Sequence, residues 1–103
     1  MTAPNAGITV TSSQLSGGGF ANGEIKVIAT KDSYGTMWCP YKGSPPAAPV
    51  WRSTANVTGN PGTVAPGAWM VMLKANQTVI FQNNPVSVTV VAGHRTRIAV
   101  TYP

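Results

Sequence analysis

Val86–Tyr102 reads VSVTVVAGHRTRIAVTY, and this stretch decides the fold class. Apolar and polar side chains alternate before Ala92–His94, and the alternation resumes after it. Because successive side chains of a strand point to opposite faces, both halves are predicted to be half-buried strands. Gly93 supplies the positive φ that a tight turn needs. We therefore predict a β-hairpin, whose second strand has these inward residues: Thr96, Ile98, Val100 and Tyr102.

Outward from this stretch, strand signals dominate the rest of the chain. Eleven glycines and nine prolines punctuate it, a rhythm that is typical of sandwiches and barrels. The other predicted strands are Ile8–Thr11, Glu24–Thr30, Thr36–Tyr41 (broken at Pro40), Val50–Thr58, Ala68–Ala75 and Thr78–Phe81. The prediction is an all-β fold, a single small antiparallel β-sandwich of about seven strands.

The length and composition fit one domain. A chain of 103 residues is one domain's worth of sequence, so residues 1–103 are taken as a single unit, with residues 1–7 as a flexible N-terminal arm. Lys42–Pro49 is rich in proline and is predicted to be a surface loop. No stretch approaches 18 apolar residues, and therefore no membrane span is predicted.

The segment Ala68–Leu73 is apolar on both of its predicted faces. Trp69 and Val71 fall on one face and Met70 and Met72 on the other. A central strand covered on both sides explains this pattern, with Trp69 as a core anchor. The alternative is that the methionine face meets another subunit, since methionine suits adaptable interfaces. We favour burial within the sandwich.

The chain lacks the residues that most catalytic and metal sites need. Its only acids are Glu24 and Asp32, eight positions apart, which is unlike a catalytic carboxylate pair. Cys39 and His94 are the only residues of their types, and two such ligands do not complete a zinc site. Cys39 is predicted to be a buried structural thiol. The sequence predicts no enzyme activity, no metal and no cofactor.

Aromatic residues around the proline-rich loop are the candidate binding residues. Exposed aromatic rings stack on sugars or anchor protein partners, and neighbouring cations hold anionic groups. For the two tryptophans in the set, a place in the core is the competing interpretation. The candidates for a partner or glycan site are Tyr34, Trp38, Tyr41, Lys42, Trp51 and Arg52.

The C-terminal part of the chain resembles a known family. Ala65–Val71 is similar to the strand entry of carboxypeptidase-regulatory-like and PEGA-type domains, and Val86–Gly93 with Thr96–Tyr102 resembles their closing hairpin. The resemblance implies a transthyretin-like or immunoglobulin-like sandwich. It also implies an adhesive, stalk or scaffolding role without enzyme activity.

The charge content narrows the class of function. Only 9% of residues are charged, and the net charge of +5 comes from scattered bases, which disfavours nucleic acid as a partner. No signal peptide is visible at the N-terminus. Virion proteins are made in a host cytoplasm and end outside it. A virion protein would therefore combine an N-terminus without a visible signal peptide with a surface poor in charge.

The leading functional prediction is a non-catalytic assembly module of a phage virion, as a capsid decoration, tail or fibre-associated protein. Its partners would be capsid or tail subunits, or further copies of itself. Contacts would come from the N-terminal arm, the proline-rich loop or a free sheet edge. The alternative is a carbohydrate-binding or adhesion module of a larger secreted protein, acting outside the cell or at its surface on a surface glycan.

Overall fold

The structure is a computed structural model that describes residues 5–55 and 59–103. Strands and the loops between them make up these residues, apart from a 3-10 turn at Asp32–Tyr34. Their strands are β1 (Asn5–Gln14), β2 (Gly23–Ala29), β3 (Met37–Tyr41), β4 (Arg52–Ser53), β5 (Gly62–Val64), β6 (Gly67–Lys74), β7 (Ile80–Phe81), β8 (Val86–Val90) and β9 (His94–Thr101). The predicted all-β class is confirmed, but the sheets are not purely antiparallel as predicted, because β1 with β7 and β2 with β9 pair in parallel. The described strands outnumber the predicted ones, because β5 lies outside every predicted strand.

The strands form two sheets that share one core. One sheet has the order β5-β2-β9-β1-β7, and the other has the order β4-β3-β6-β8. The inward side chains of both sheets are apolar and meet between them, which gives a sandwich-like arrangement. The buried core consists of Ala6, Ile25, Val27, Trp38, Val64, Val71, Leu73, Val86, Val88, Val90, Ile98, Val100 and Tyr102.

The predicted hairpin of Val86–Tyr102 is wrong in its pairing. β8 pairs with β6 in one sheet, whereas β9 lies between β1 and β2 in the other. The turn at Gly93, where φ is 78°, therefore carries the chain from one sheet to the other. Its peptide groups bond to the β1–β2 connection: Gly93 N–H donates to Asn22 O at 3.0 Å and Leu15 N–H to Gly93 O at 2.8 Å. The predicted inward residues of β9 are nevertheless buried.

Two predicted strands change in extent. Pro40 lies inside β3 opposite Val71. Proline is tolerated there because, in the described part of the chain, β4 pairs only with Met37 and Trp38. On the β4 side, Pro40 therefore has no neighbouring strand that would need its missing N–H. The predicted strand Val50–Thr58 shrinks to Arg52–Ser53, and residues 56–58 lie outside the described residues.

Residues 5–7 do not belong to a flexible N-terminal arm, although this was predicted for residues 1–7. β1 begins at Asn5, so residues 5–7 are part of the five-stranded sheet, while residues 1–4 lie outside the described residues. Asn5 and Ala6 pair with β7, and Gly7 pairs with Thr101 of β9. Ala6 is fully buried, which anchors this start of the strand in the core.

Two asparagine side chains extend the sheets beyond the ends of strands. Asn60 lies two residues beyond the last β5 pair with β2, and its amide bonds to both peptide groups of Val27, at 3.0 Å to N and 2.7 Å to O. Asn84 lies two residues beyond the last β8 pair with β6 and bonds in the same way to Leu73, at 2.9 Å twice. Each amide takes the place of a backbone peptide group, which satisfies a strand that would otherwise lack a neighbour there.

The buried hydroxyl of Tyr102 closes one end of the core. It hydrogen-bonds to the hydroxyl of Thr36, which is also buried. The Tyr102 ring packs on Tyr34, with 4.4 Å between ring centroids. Burial raises the pKa of the Tyr102 phenol above its usual 10.0, since the phenolate loses solvation there, and the Thr36 hydrogen bond offsets part of this rise.

This raised pKa predicts a loss of stability in alkali. The phenol stays neutral in the folded chain to higher pH than in the unfolded chain, so its contribution is complete below about pH 10 and falls as pH rises through the folded-state pKa. We expect the urea midpoint to fall more steeply above that pH in the wild type than in Tyr102→Phe. The absorbance of tyrosinate, followed from neutral to alkaline pH, measures the titration directly. Equal pH slopes of the urea midpoint for the two proteins would contradict the prediction.

The two faces of β6 differ in burial. Val71 and Leu73 are buried between the sheets, as predicted. Trp69 is half-buried at the margin of the core, where its Nε1 donates to Ala65 O at 2.8 Å, so it is not the deep anchor that was predicted. On the other face Met70 and Met72 are half-buried. The register places Cys39 beside Met72, and its thiol is buried, as predicted.

Candidate functional site: an open sheet edge

Trp38 lies in the core and not on a binding surface. Its side chain is fully buried, which corrects its place among the predicted binding residues. Arg52 lies over the Trp38 ring, with its guanidinium carbon 5.0 Å from the ring centroid. The guanidinium packs against Gly62, where an added Cβ would meet Arg52 Nη1 at 1.9 Å. Arg52 therefore fills the side of the sandwich between β4 and β5, and it is half-buried there.

Three of the four remaining predicted binding residues contact other side chains of the chain. Lys42 lies over Trp69 at 5.0 Å, and Lys74 lies over Trp51 at 4.5 Å. Tyr34 precedes β3 and packs on Tyr102, whereas Tyr41 is at the far end of β3, about 13 Å from the first residue of that strand. Tyr34, Tyr41 and Trp51 are half-buried and Lys42 is exposed. The structure does not bring the six predicted residues together on one surface.

A different feature stands out, which is the free side of β1. β9 pairs with the whole length of β1 from Gly7 to Gln14. On its other side, among the described residues, β1 pairs only at Asn5 and Ala6, with β7. The segment Ile8–Gln14, which we call the open edge, therefore has a partner on one side only.

Two hydrogen bonds fix which peptide groups the open edge presents. Gln82 N–H donates to Ala6 O at 2.8 Å, and Ile8 N–H donates to Gln82 Oε1 at 2.8 Å. The peptide groups of Ala6 and Ile8 therefore face away from β9, and those of alternate residues along the strand do the same. Beyond Gln82, the peptide groups of Val10, Ser12 and Gln14 face outward, with no partner strand in the described part of the chain.

The open edge lacks the features with which natural sheets protect such strands. Edge strands are usually short, charged, bulged or interrupted by proline, because an unprotected edge pairs with other chains. β1 has ten residues, NAGITVTSSQ, with neither charge nor proline. Val10 is opposite the fully buried Ile98, yet it is 45% exposed. Val10 therefore presents apolar surface beside the outward-facing backbone of the strand.

This arrangement is suited to recognition through the backbone. A partner in extended conformation gains main-chain hydrogen bonds from a free edge and side-chain contacts from alternate residues. Val10 offers such a contact on the inner face. The sequence predicted a free edge as one of three contact regions, and the alternation of Ile8–Thr11 located the strand. Which strand is at the edge depends on the insertion of β9 between β1 and β2, which no local pattern encodes.

Groups for chemistry are sparse in the described residues. They contain no cluster of three or more histidine, cysteine, aspartate or glutamate side chains that would hold a metal ion. His94 contacts Ser12, with 3.5 Å between Nδ1 and Oγ. Within the same residues, no helix is long and apolar enough to cross a membrane.

Comparison of the chain with protein-family models, curated proteins and solved structures found no match. Arguments about function therefore rest on the chain's own geometry and composition.

Proposed function

We propose that this domain is a non-catalytic assembly module that joins another protein chain through the open edge of β1. The observation that supports this most is the outward-facing backbone of Val10, Ser12 and Gln14, on a long strand without charge or proline. An added strand would satisfy these groups and would cover Val10. The proposal needs no ionisable group, which suits a chain with two acids and one histidine.

The setting that we propose is a phage virion, where the domain serves as a capsid decoration, tail or fibre-associated protein. Only 9% of its residues are charged, so its surface is built from uncharged polar residues and glycine. The partners would be capsid or tail subunits, or copies of the chain itself. In the same proposal, the sandwich belongs to the immunoglobulin-like or transthyretin-like type, as the C-terminal resemblance implies.

Glycan binding at the aromatic residues has less support. Exposure of Trp38, Tyr41 and Trp51 in one plane would support a sugar-binding platform. Trp38 is fully buried, and Trp51 is already covered on one side by Lys74. We therefore propose protein assembly ahead of this alternative.

A proline in the open edge tests the proposed function. Ser12→Pro removes an N–H that faces outward, and proline is accepted on the solvent side of an edge strand, so the domain should stay folded. The probe is the chain itself, because a free edge pairs with its own copy when no other partner is present. Sedimentation velocity over a concentration series measures the association. We expect the wild type to self-associate and the association constant of Ser12→Pro to be at least about tenfold lower.

Ser12→Val is the matched control, since it changes the same side chain and keeps the N–H. It should associate as the wild type does. Val10→Lys is a second variant that should weaken association, because it places a charge on the inner face of the open edge. A wild type that remains monomeric throughout the series, or a Ser12→Pro variant that associates equally well, would refute assembly through this edge.

A further inference from the structure

The outer face of the five-stranded sheet carries a cationic patch that the proposed function does not use. In the register, Lys26 of β2 is beside Arg97 of β9, and Arg97 is beside Thr11 of β1. Paired residues share a face of the sheet, and their neighbours Thr96 and Ile98 are buried on the inner face. Lys26, Arg97 and Thr11 therefore lie together on the outer face, across three adjacent strands.

The charges of this face are unbalanced. Glu24 is its only acid among the described residues, and Arg95 holds it, with 2.9 Å between Nε and Oε1. Lys26 and Arg97 make no ion pair within the described part of the chain. Neighbouring strands are about 4.8 Å apart, so these two cations stand side by side, an arrangement that costs free energy unless an anion joins them.

Hydroxyl groups border the cations. Thr9, Thr11 and Ser13 alternate along the outer face of β1, directly across from Ala99, Arg97 and Arg95 of β9. β1, β2 and β9 contain no phenylalanine, tyrosine or tryptophan on either face. The result is a surface with two free cations beside a row of hydroxyls.

We propose that this face binds an acidic polysaccharide, with a sulfate or carboxylate group between Lys26 and Arg97. The guanidinium of Arg97 forms paired hydrogen bonds with such a group, and Lys26 adds a second charge. The hydroxyls of Thr9, Thr11 and Ser13 match those of a sugar ring. Single-stranded nucleic acid fits less well, because it needs aromatic rings on which bases stack. This site is separate from the open edge and goes beyond the proposed function.

The test is binding of the whole chain to immobilised dextran sulfate and immobilised alginate, with neutral dextran as the blank. The double variant K26Q/R97Q removes both free cations, and K31Q/K74Q removes two exposed cations elsewhere, so the two proteins have the same net charge. We expect K26Q/R97Q to bind at least about tenfold more weakly than the wild type to one polymer or both. K31Q/K74Q should change the affinity less than threefold, by about 0.65 kcal/mol or less.

The two polymers separate sulfate from carboxylate as the preferred anion. The single variant R97Q replaces the double variant if the latter fails to fold, and thermal melting checks this. Equal weakening by K26Q/R97Q and K31Q/K74Q would overturn the proposal, because net charge alone would then explain binding. Tighter binding to single-stranded DNA than to either polymer would overturn it too, as would binding to neutral dextran. Ser12→Pro should bind the polymers normally, which keeps this result independent of the open edge.

Discussion

Trp38→Ala is expected to lower the free energy of unfolding by about 3–5 kcal/mol, the usual range for a fully buried tryptophan. Among the described residues, Trp38 has the largest fully buried side chain, and it is paired with Leu73 of β6. Its removal opens a cavity between the sheets and leaves Arg52 without the ring on which it lies at 5.0 Å. Urea unfolding followed by far-ultraviolet circular dichroism measures the change without relying on tryptophan fluorescence.

Trp51→Ala and Trp69→Ala are matched controls. Both rings are half-buried, and each carries a lysine on its face. We expect each to cost about 1–2 kcal/mol, since less apolar surface leaves the core. Trp38→Phe should cost less than Trp38→Ala, because it keeps most of the ring volume and removes a buried Nε1 that has no hydrogen-bond partner among the described residues. Equal losses for the three alanine variants would contradict this picture of the core.

Alternation along the chain predicted which side chains are buried more reliably than it predicted which strands pair. The predicted strand Glu24–Thr30 has Ile25 and Val27 on the same face by alternation, and both are fully buried in β2. The inward residues of β9 were also predicted correctly. Both results follow because the two faces of a strand alternate locally, so that short stretches of sequence contain the information.

Strand pairing depends on distant segments, which is why the predicted hairpin failed. A tight turn at Gly93 suits a hairpin and a crossing between sheets equally well, since both need a positive φ. The structure selects the crossing because β1 occupies one side of β9 and β2 the other. The open edge follows from the same insertion, and this explains why the sequence indicated a free edge without identifying the strand.

The candidate binding residues show a related limit. Aromatic rings near a loop were predicted as a surface, yet Trp38 is buried, Tyr34 packs on Tyr102 and Trp51 lies under Lys74. A sequence reports that an aromatic residue lies near a turn, and it does not report whether a cation already covers the ring. Lys26 and Arg97 were among the bases interpreted as scattered, because their adjacency exists only in the parallel pairing of β2 with β9.

Asn60→Ala is expected to lower the free energy of unfolding by about 2–3 kcal/mol, since it leaves buried peptide groups unsatisfied. The Asn60 side chain is buried and bonds to Val27 N, Val27 O and Thr54 O, at 3.0, 2.7 and 2.8 Å. Asn60 lies outside every strand predicted from the sequence, and its role in completing a sheet edge was not predicted. Urea unfolding measures the loss, and hydrogen exchange at the Val27 amide locates it.

Asn84→Ala is the matched control, because Asn84 makes the equivalent pair of bonds to Leu73 from an exposed position. Water can replace an exposed amide, so we expect a cost of about 1 kcal/mol or less there. Asn60→Asp keeps an acceptor for Val27 N–H, but it places a carboxylate against two carbonyl oxygens. This variant should therefore be no more stable than Asn60→Ala. If the Val27 amide exchanged no faster in Asn60→Ala than in the wild type, the Asn60 side chain would not be completing the edge of β2.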